Sequence, residues 1–538
     1  MTRNCETFTE NQHAILEHYV TSTTSNVFAL CNLPEVVKGA LFSRYSRSLL
    51  GLRSLLLKEF ILNEETAFPS ITGIANAREG HIDAIRKAQN FYDRILDGYG
   101  DDSIGELGGT HLALEGISVI ATKVIEDCRI GGSPLEKSTR YIYFDQKIDG
   151  EYLFYKEPIL MASAYRNLYL ETCNALFDTY SQLIPPLTEK LSITFPKEED
   201  ISPTAYHAAL RAKVLDCLRG LLPASVLTNL GVFGNGRFFE NLCQKLHAHT
   251  LVELQDLGKK AHRELSKVIP SFVRRGELGH RHQKAHAEYV QHVQSALKTL
   301  MHRTPVQPTE RSTPGVHLVA FDPDNPAKVA AALLYEHSRS SYDALLAACK
   351  SMPPEELSAI LDAAAHPRTN RRQKSPRALE YASFTFEIIA DYGIYRDLQR
   401  HRTLTQERQF LTCDLGYYIP REIIDTELEG PYRNAMHMAS NAFRSISSEF
   451  PEEAQYVVPM AHYIRWSWHI NLRALQWICE LRSAPQGHPN YRFIAQELAK
   501  IVVNVQPCFE RFFKFVDWEG YELGRLGQEL RIAEKKSQ

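Results

Sequence analysis

The stretch Gln399–Phe410 reads QRHRTLTQERQF. Three basic side chains, Arg400, His401 and Arg402, stand together where the run FTFEIIADYGIYRDLQ (384–399) ends. That run begins with the two-residue alternation of a strand and becomes a mixed helical pattern. The basic triplet is therefore expected just past a helix C-terminus, where cations relieve the macrodipole. Guanidiniums are rigid forks that grip phosphate or carboxylate at two points. Alone, such a triplet reads as a solvated helix end, so its meaning depends on the chain around it.

Upstream stands LEYASFTF (379–386) and downstream Asn471-Leu472-Arg473, with Arg482 eleven residues after Asn471. This set resembles the flavin-dependent thymidylate synthases, the ThyX family. Their pattern is LEH…FTF, then RHR followed by S-x-x-E-x-S-x-R-Y, then a late NLR helix with a further Arg. The tail of the triplet is broken here, since the chain runs on after Thr405 into Gln409-Phe410-Leu411. The missing tail lies elsewhere. SPLEKSTRY (133–141) matches it at every specified position, and Asp127-Cys128-Arg129 precedes it where RHR belongs, with one extra Gly at 131 or 132.

A duplication explains this exchange. MHRTPVQPTERSTPG (301–315) has three prolines and no hydrophobic period, and it reads as a linker. On either side, ALFSRYSRS (40–48) answers ALLYEHSRS (332–340). YGDDSIGELGGTHLALEGIS (99–118) answers SPRALEYASFTFEIIADYG, aligning Glu106 with Glu380. RGLLPASVLTNLGVFGNGR (219–237) answers QYVVPMAHYIRWSWHINLR (455–473). The order of the pairs is kept, which chance similarity does not explain. The expected organisation is a first domain over 26–300 with helical insertions, a linker over 301–315 and a second domain over 316–538. The expected fold class is mixed α/β (α+β), each domain a short twisted sheet with long helices. The first half is longer by about a helical hairpin within 146–204. The stretch 274–302, with His280, His282, His286 and His292, reads as a solvated amphipathic helix, and no metal site is expected.

Bulk properties bound the alternatives. A chain of 538 residues exceeds one ordinary core. Its 61 basic and 64 acidic side chains nearly balance, which argues against a polyanion-binding protein. Ten cysteines show no CxxC spacing, so reduced thiols in a cytoplasmic protein are expected. No apolar run reaches membrane-spanning length, and neither GxGxxG after a strand nor GxxxxGK[ST] occurs. No nucleic-acid or membrane partner is expected.

The resemblance also implies roles. In the family the nucleotide lies between two subunits. One supplies the E-x-S-x-R tail and a phosphate Arg sixteen residues before the NLR Asn, and the other supplies the first Arg of RHR and the late Arg. Carried over, the first half offers Glu136, Ser138, Arg140 and Arg219, and the second offers Arg400 and Arg482. The opposite pairing has Gln455 and Leu246 at the arginine positions. The implied reaction converts dUMP to dTMP with methylenetetrahydrofolate and NADPH through FAD, with one complete site per chain and Arg482 as the catalytic group. Ser103, Arg400, His401, Arg402, Asn235, Arg237, Asn241, Asn471 and Arg473 are the implied FAD-binding positions. Two chains are expected to pair, restoring a four-domain assembly. Other readings stay open. One is a flavin enzyme acting on another pyrimidine nucleotide, and another is a degenerate nucleotide-binding protein with a structural or regulatory role. A third, a nucleic-acid binder using NRRQKSPR (370–377), is disfavoured by the charge balance.

Overall fold

The computed structural model describes residues 7–46, 48–62, 105–305 and 313–537. It forms two compact units. The first takes residues 1–117, 124–137 and 228–306; the second takes 118–123, 138–227 and 307–538. The second unit thus contains chain from both halves of the sequence. Among the described residues the strands, in chain order, are β1 (Gly109–Ser118), β2 (Gly132–Glu136), β3 (Lys147–Ile148), β4 (Glu151–Tyr152), β5 (Leu227–Asn235), β6 (Gly315–Phe321), β7 (Ser383–Asp391), β8 (Thr405–Arg408) and β9 (Tyr463–Asn471).

In the first unit the sheet order is β1-β5-β2. The motif SPLEKSTRY opens as strand β2, antiparallel to β5, with Glu136 opposite Leu230. The turn before it needs a left-handed residue, which Gly131 supplies at φ +84°. Strand β5 alternates buried and outward positions along its length. It stops at Asn235, whose carboxamide oxygen accepts from Phe238 N at 2.8 Å and caps the helix Gly236–His247. That helix buries Phe238, Phe239, Leu242 and Leu246. The histidine-rich stretch forms the helix Arg281–Arg303, in which Gln283 is the buried residue. Among the described residues, no group of three His, Cys, Asp or Glu side chains is placed to hold a metal ion.

The second unit is built on a four-stranded antiparallel sheet, order β6-β7-β9-β8. Its central pair runs in register from Ser383 opposite Asn471 to Asp391 opposite Tyr463. Alternate residues of both strands, Phe384, Phe386 and Ile388 with Trp466, Trp468 and Ile470, are buried. Truncating a buried aromatic of this kind to Ala costs ~3–5 kcal/mol. The strand-to-helix reading of 384–399 corresponds to β7 followed by the helix Tyr392–Leu398, capped by Asp391 through Ile394 N at 3.0 Å. The basic triplet follows its C-cap, Gln399. Strand β9 likewise ends at Asn471, which accepts from Ala474 N at 2.9 Å and caps Leu472–Arg482. Between Arg140 and Arg219 lie the long helices Arg166–Thr194 and Pro203–Leu218; between Arg402 and Gln455 lies Glu429–Ser447. The first half therefore has a long helix that the second lacks.

The two segments aligned above, 219–225 and 455–461, meet inside this unit. Ala224 N donates to Val458 O at 2.8 Å, and Met460 N to Leu222 O at 2.9 Å. Ser225 N donates to Tyr456 O at 3.1 Å, and Ala461 N to Gly220 O at 2.8 Å. Pro223 and Pro459 face each other in an isolated antiparallel bridge. Each bond has its counterpart with the halves exchanged. This is the pattern of a two-fold, isologous contact, made here within one chain.

Candidate functional site

This seam sets the arginines in place. Arg219 follows the helix Pro203–Leu218 and opens the short turn Arg219–Leu221. Arg140 lies on the loop after β2, and Arg400 on the loop after Tyr392–Leu398. Arg482 is the last residue of Leu472–Arg482, where a cation suits the helix dipole. All four belong to the second unit.

Arg140 and Arg219 are both buried, at 7% and 3% exposure. Arg140 grips Asp216 at two points, Nε to Oδ1 at 2.6 Å and Nη2 to Oδ2 at 2.7 Å. It also donates from Nη1 to the Tyr491 hydroxyl at 3.1 Å and from Nη2 to Gln486 O at 3.3 Å. Arg219 donates from Nη1 to Asp397 Oδ2 at 3.1 Å, while its buried Nη2 has no hydrogen-bond partner. Arg482 donates from Nε to His401 Nε2 at 2.8 Å. The guanidinium carbons of Arg140 and Arg482 lie 5.6 Å and 5.5 Å from the centroid of the Tyr491 ring. Arginines from the two halves thus converge on one aromatic ring, within cation–π distance.

The charges settle accordingly. Burial alone would raise Asp216, but the Arg140 guanidinium outweighs it and holds the carboxyl below its ordinary value. Asp397 is half-buried, and Arg219, Arg140, Arg482 and Arg400 together hold it well below the carboxylate range against the burial that would raise it. Asp391 goes the other way, since burial raises it more than Arg219 lowers it. His401 is pushed far below its ordinary value by burial and by Arg482. It is a neutral imidazole whose Nε2 accepts. His488 is pushed down to about 3, by burial first and Arg219 next. A close approach completes the site. A Cβ on Gly393 would lie 3.0 Å from Asp391 Oδ1 and 3.3 Å from Arg219 Nε, so a side chain there would press on both.

The remaining expected positions lie as follows. Ser138 Oγ accepts from Arg140 N at 3.2 Å in a local turn. Glu136 is buried at the end of β2, in the first unit. Ser103 lies outside the described residues. Arg237 pairs Nη1 to Glu106 Oε1 at 2.7 Å, and Arg473 pairs Nη1 to Glu380 Oε1, also at 2.7 Å. The same ion pair therefore recurs in both halves at aligned positions. Asn235 and Asn471 put their carboxamide oxygens into helix caps. Asn241, Arg400 and Arg402 are exposed, whereas His401 is buried. For a flavin dinucleotide, Arg400 and Arg402 are exposed residues whose guanidiniums have the charge and shape to meet a pyrophosphate, and in this they fit the group.

Sequence reading missed Asp216, Asp397, Tyr491 and His488. A signal for the carboxylates was present. Asp216-Cys-Leu-Arg219 and Asp397-Leu-Gln-Arg400 share the spacing Asp-x-x-Arg. That spacing suggests local pairs, but the side chains cross over instead, Asp397 to Arg219 and Asp216 to Arg140.

Comparison with known proteins gives the family. The model of the family described as thymidylate synthase complementing protein matches residues 64–271 and 317–508. The chain belongs to this family. The model matches twice, once on each side of the proline-rich stretch. A UPF0159 protein of Chlamydia muridarum is 54% identical over 524 residues, spanning 97% of this chain and 98% of the relative. A UPF0159 protein of Chlamydia pneumoniae is 55% identical over 526 residues, 98% of each chain. One from Thermoplasma acidophilum is 34% identical over 520 residues, 92% of this chain and 98% of the relative. These relatives therefore match over the whole two-part length. Membership of the family suggests a ThyX-like thymidylate synthase. Among the described residues, no helix is long and apolar enough to cross a membrane.

Proposed function

We propose that the protein is a flavin-dependent thymidylate synthase, converting dUMP to dTMP with methylenetetrahydrofolate as carbon donor and NADPH as reductant. The observation that supports this reading most is the convergence of Arg140, Arg219 and Arg482, drawn from both halves, around Tyr491 and Asp397. Arg219, with a buried Nη2 still to be satisfied, binds the phosphate. Arg140 and Ser138 line the same end, and Arg400 closes its rim, all three within the second unit; Glu136 keeps the role in dUMP binding that the family resemblance implies. Arg482, held in line by the neutral His401, faces the pyrimidine. A permanent cation there stabilises negative charge on the ring and makes C5 more nucleophilic. Arg400 and Arg402 hold FAD, which when bound supplies the hydride chemistry. Two such chains pair into a four-domain assembly, and a stable, active monomer in sedimentation would contradict that.

The test is direct. The purified protein takes up FAD, shows an oxidised-flavin spectrum that dUMP perturbs, and forms dTMP with folate and NADPH. A protein that titrates with neither FAD nor dUMP removes the reading. A second reading, a nucleotide-binding protein without turnover, is favoured by the Asp216 carboxylate filling the Arg140 fork. Binding of dUMP without dTMP formation would select it.

A further inference from the structure

We propose that Asp397 is a built-in competitor for the ligand's phosphate: it stands where that anion goes and leaves Arg219 when the anion arrives. The inference rests on the nucleotide reading above and adds a residue that controls affinity.

Four observations carry it. First, Asp397 sits in the last turn of Tyr392–Leu398. A carboxylate is unfavourable at that end of a helix, so the surrounding guanidiniums, not the helix, hold it there. Second, it is attached lightly. One oxygen meets Arg219 at 3.1 Å, and the side chain is 17% exposed. Asp216 makes two contacts, at 2.6 Å and 2.7 Å, and is 10% exposed. Of the two carboxylates, Asp397 is the one able to move. Third, Arg219 keeps Nη2 buried without a hydrogen-bond partner. A buried charged donor left without an acceptor is unfavourable, and an incoming phosphate oxygen removes that cost. Fourth, Arg140 has little left to offer, because three of its nitrogens already donate to Asp216, Tyr491 and Gln486. A phosphate drawn to the unmet Nη2 can take the whole Arg219 fork only by winning Nη1 from Asp397. Binding is an exchange of one anion for another, so its strength depends on the charge at residue 397.

The test uses calorimetry with three probes: inorganic phosphate, dUMP and deoxyuridine. Asp397→Asn keeps the shape and removes the charge. It is expected to tighten inorganic phosphate by about tenfold or more and to leave deoxyuridine unchanged. Asp397→Ser, a second neutral variant checked by circular dichroism for folding, is expected to do the same. Asp216→Asn is expected to give no tightening. Phosphate binding that is unchanged, weakened or absent in both neutral 397 variants overturns the proposal and makes Asp397 a residue that merely positions Arg219. Tightening of phosphate without any binding of dUMP upholds the competitor and sinks the nucleotide reading instead.

Discussion

At the scale of residues, Arg482 and His401 act as one unit, because Arg482 donates to an imidazole that burial keeps neutral. Arg482→Ala is expected to lower dTMP formation far more than dUMP affinity, since its charge matters most when the ring becomes anionic. Normal turnover by that variant would make Arg482 structural. The buried histidines also set a pH dependence. His462 and His488 are pushed down to about 3, and His401 well below its ordinary value. Between their ordinary value near 6.5 and those depressed values, the unfolded chain takes up protons that the folded chain refuses. Stability must therefore fall as pH drops through that window, by ~1.4 kcal/mol per pH unit for each histidine. Urea midpoints measured from pH 7 to pH 4.5 should decline, and less steeply in His462→Gln; a flat profile would show these imidazoles to be protonated in the folded state. The arginines were legible as residues because fixed spacings mark them. Their carboxylate partners were not, because a pair formed across the fold leaves no mark at either end of the sequence.

Elements show the duplication more plainly than residues do. Strands β5 and β9 each end in Asn, and each Asn caps the helix that follows. Each of those helices opens with an Arg paired to a Glu at 2.7 Å. Asn235→Ala and Asn471→Ala are expected to cost ~1 kcal/mol each, seen as similar drops in thermal midpoint. A large loss of flavin affinity without a stability change would assign them to the cofactor instead. The strand-then-helix reading of 384–399 was accurate because alternation gives way to helical periodicity within one short run. The isologous contact of 219–225 with 455–461 was not readable as a contact. Alignment showed that the segments correspond, but correspondence does not say that they touch.

For the molecule as a whole, the position of the arginines decides how variants should combine. Arg140, Arg219 and Arg482 meet in the second unit of a single chain, and Arg400 contributes to the field on Asp397 there. Arg219→Ala and Arg400→Ala are each expected to abolish dTMP formation, and mixing the two proteins should restore none. Recovery of activity after subunit exchange would mean that the working site is completed by a second chain. Gln455, at the position answering Arg219, is buried, with its oxygen accepting from Leu411 N at 3.1 Å and its amide donating to Glu452 O at 2.9 Å. It is locked into its own backbone, so one dUMP per chain is the expected stoichiometry, and two equivalent sites in calorimetry would contradict it. At the Pro223–Pro459 seam the two halves of one chain face each other. When two identical subunits make such a contact, every mutation appears on both sides at once. Joined in one polypeptide, the sides inherit changes independently, so a residue lost from one can be tolerated while the other keeps it. With Arg219 and Arg482 in opposite halves, the proposed site draws on both, and neither half is expected to serve alone. Separating the halves into two polypeptides is then expected to demand their co-expression, and deleting either half is expected to remove dTMP formation outright.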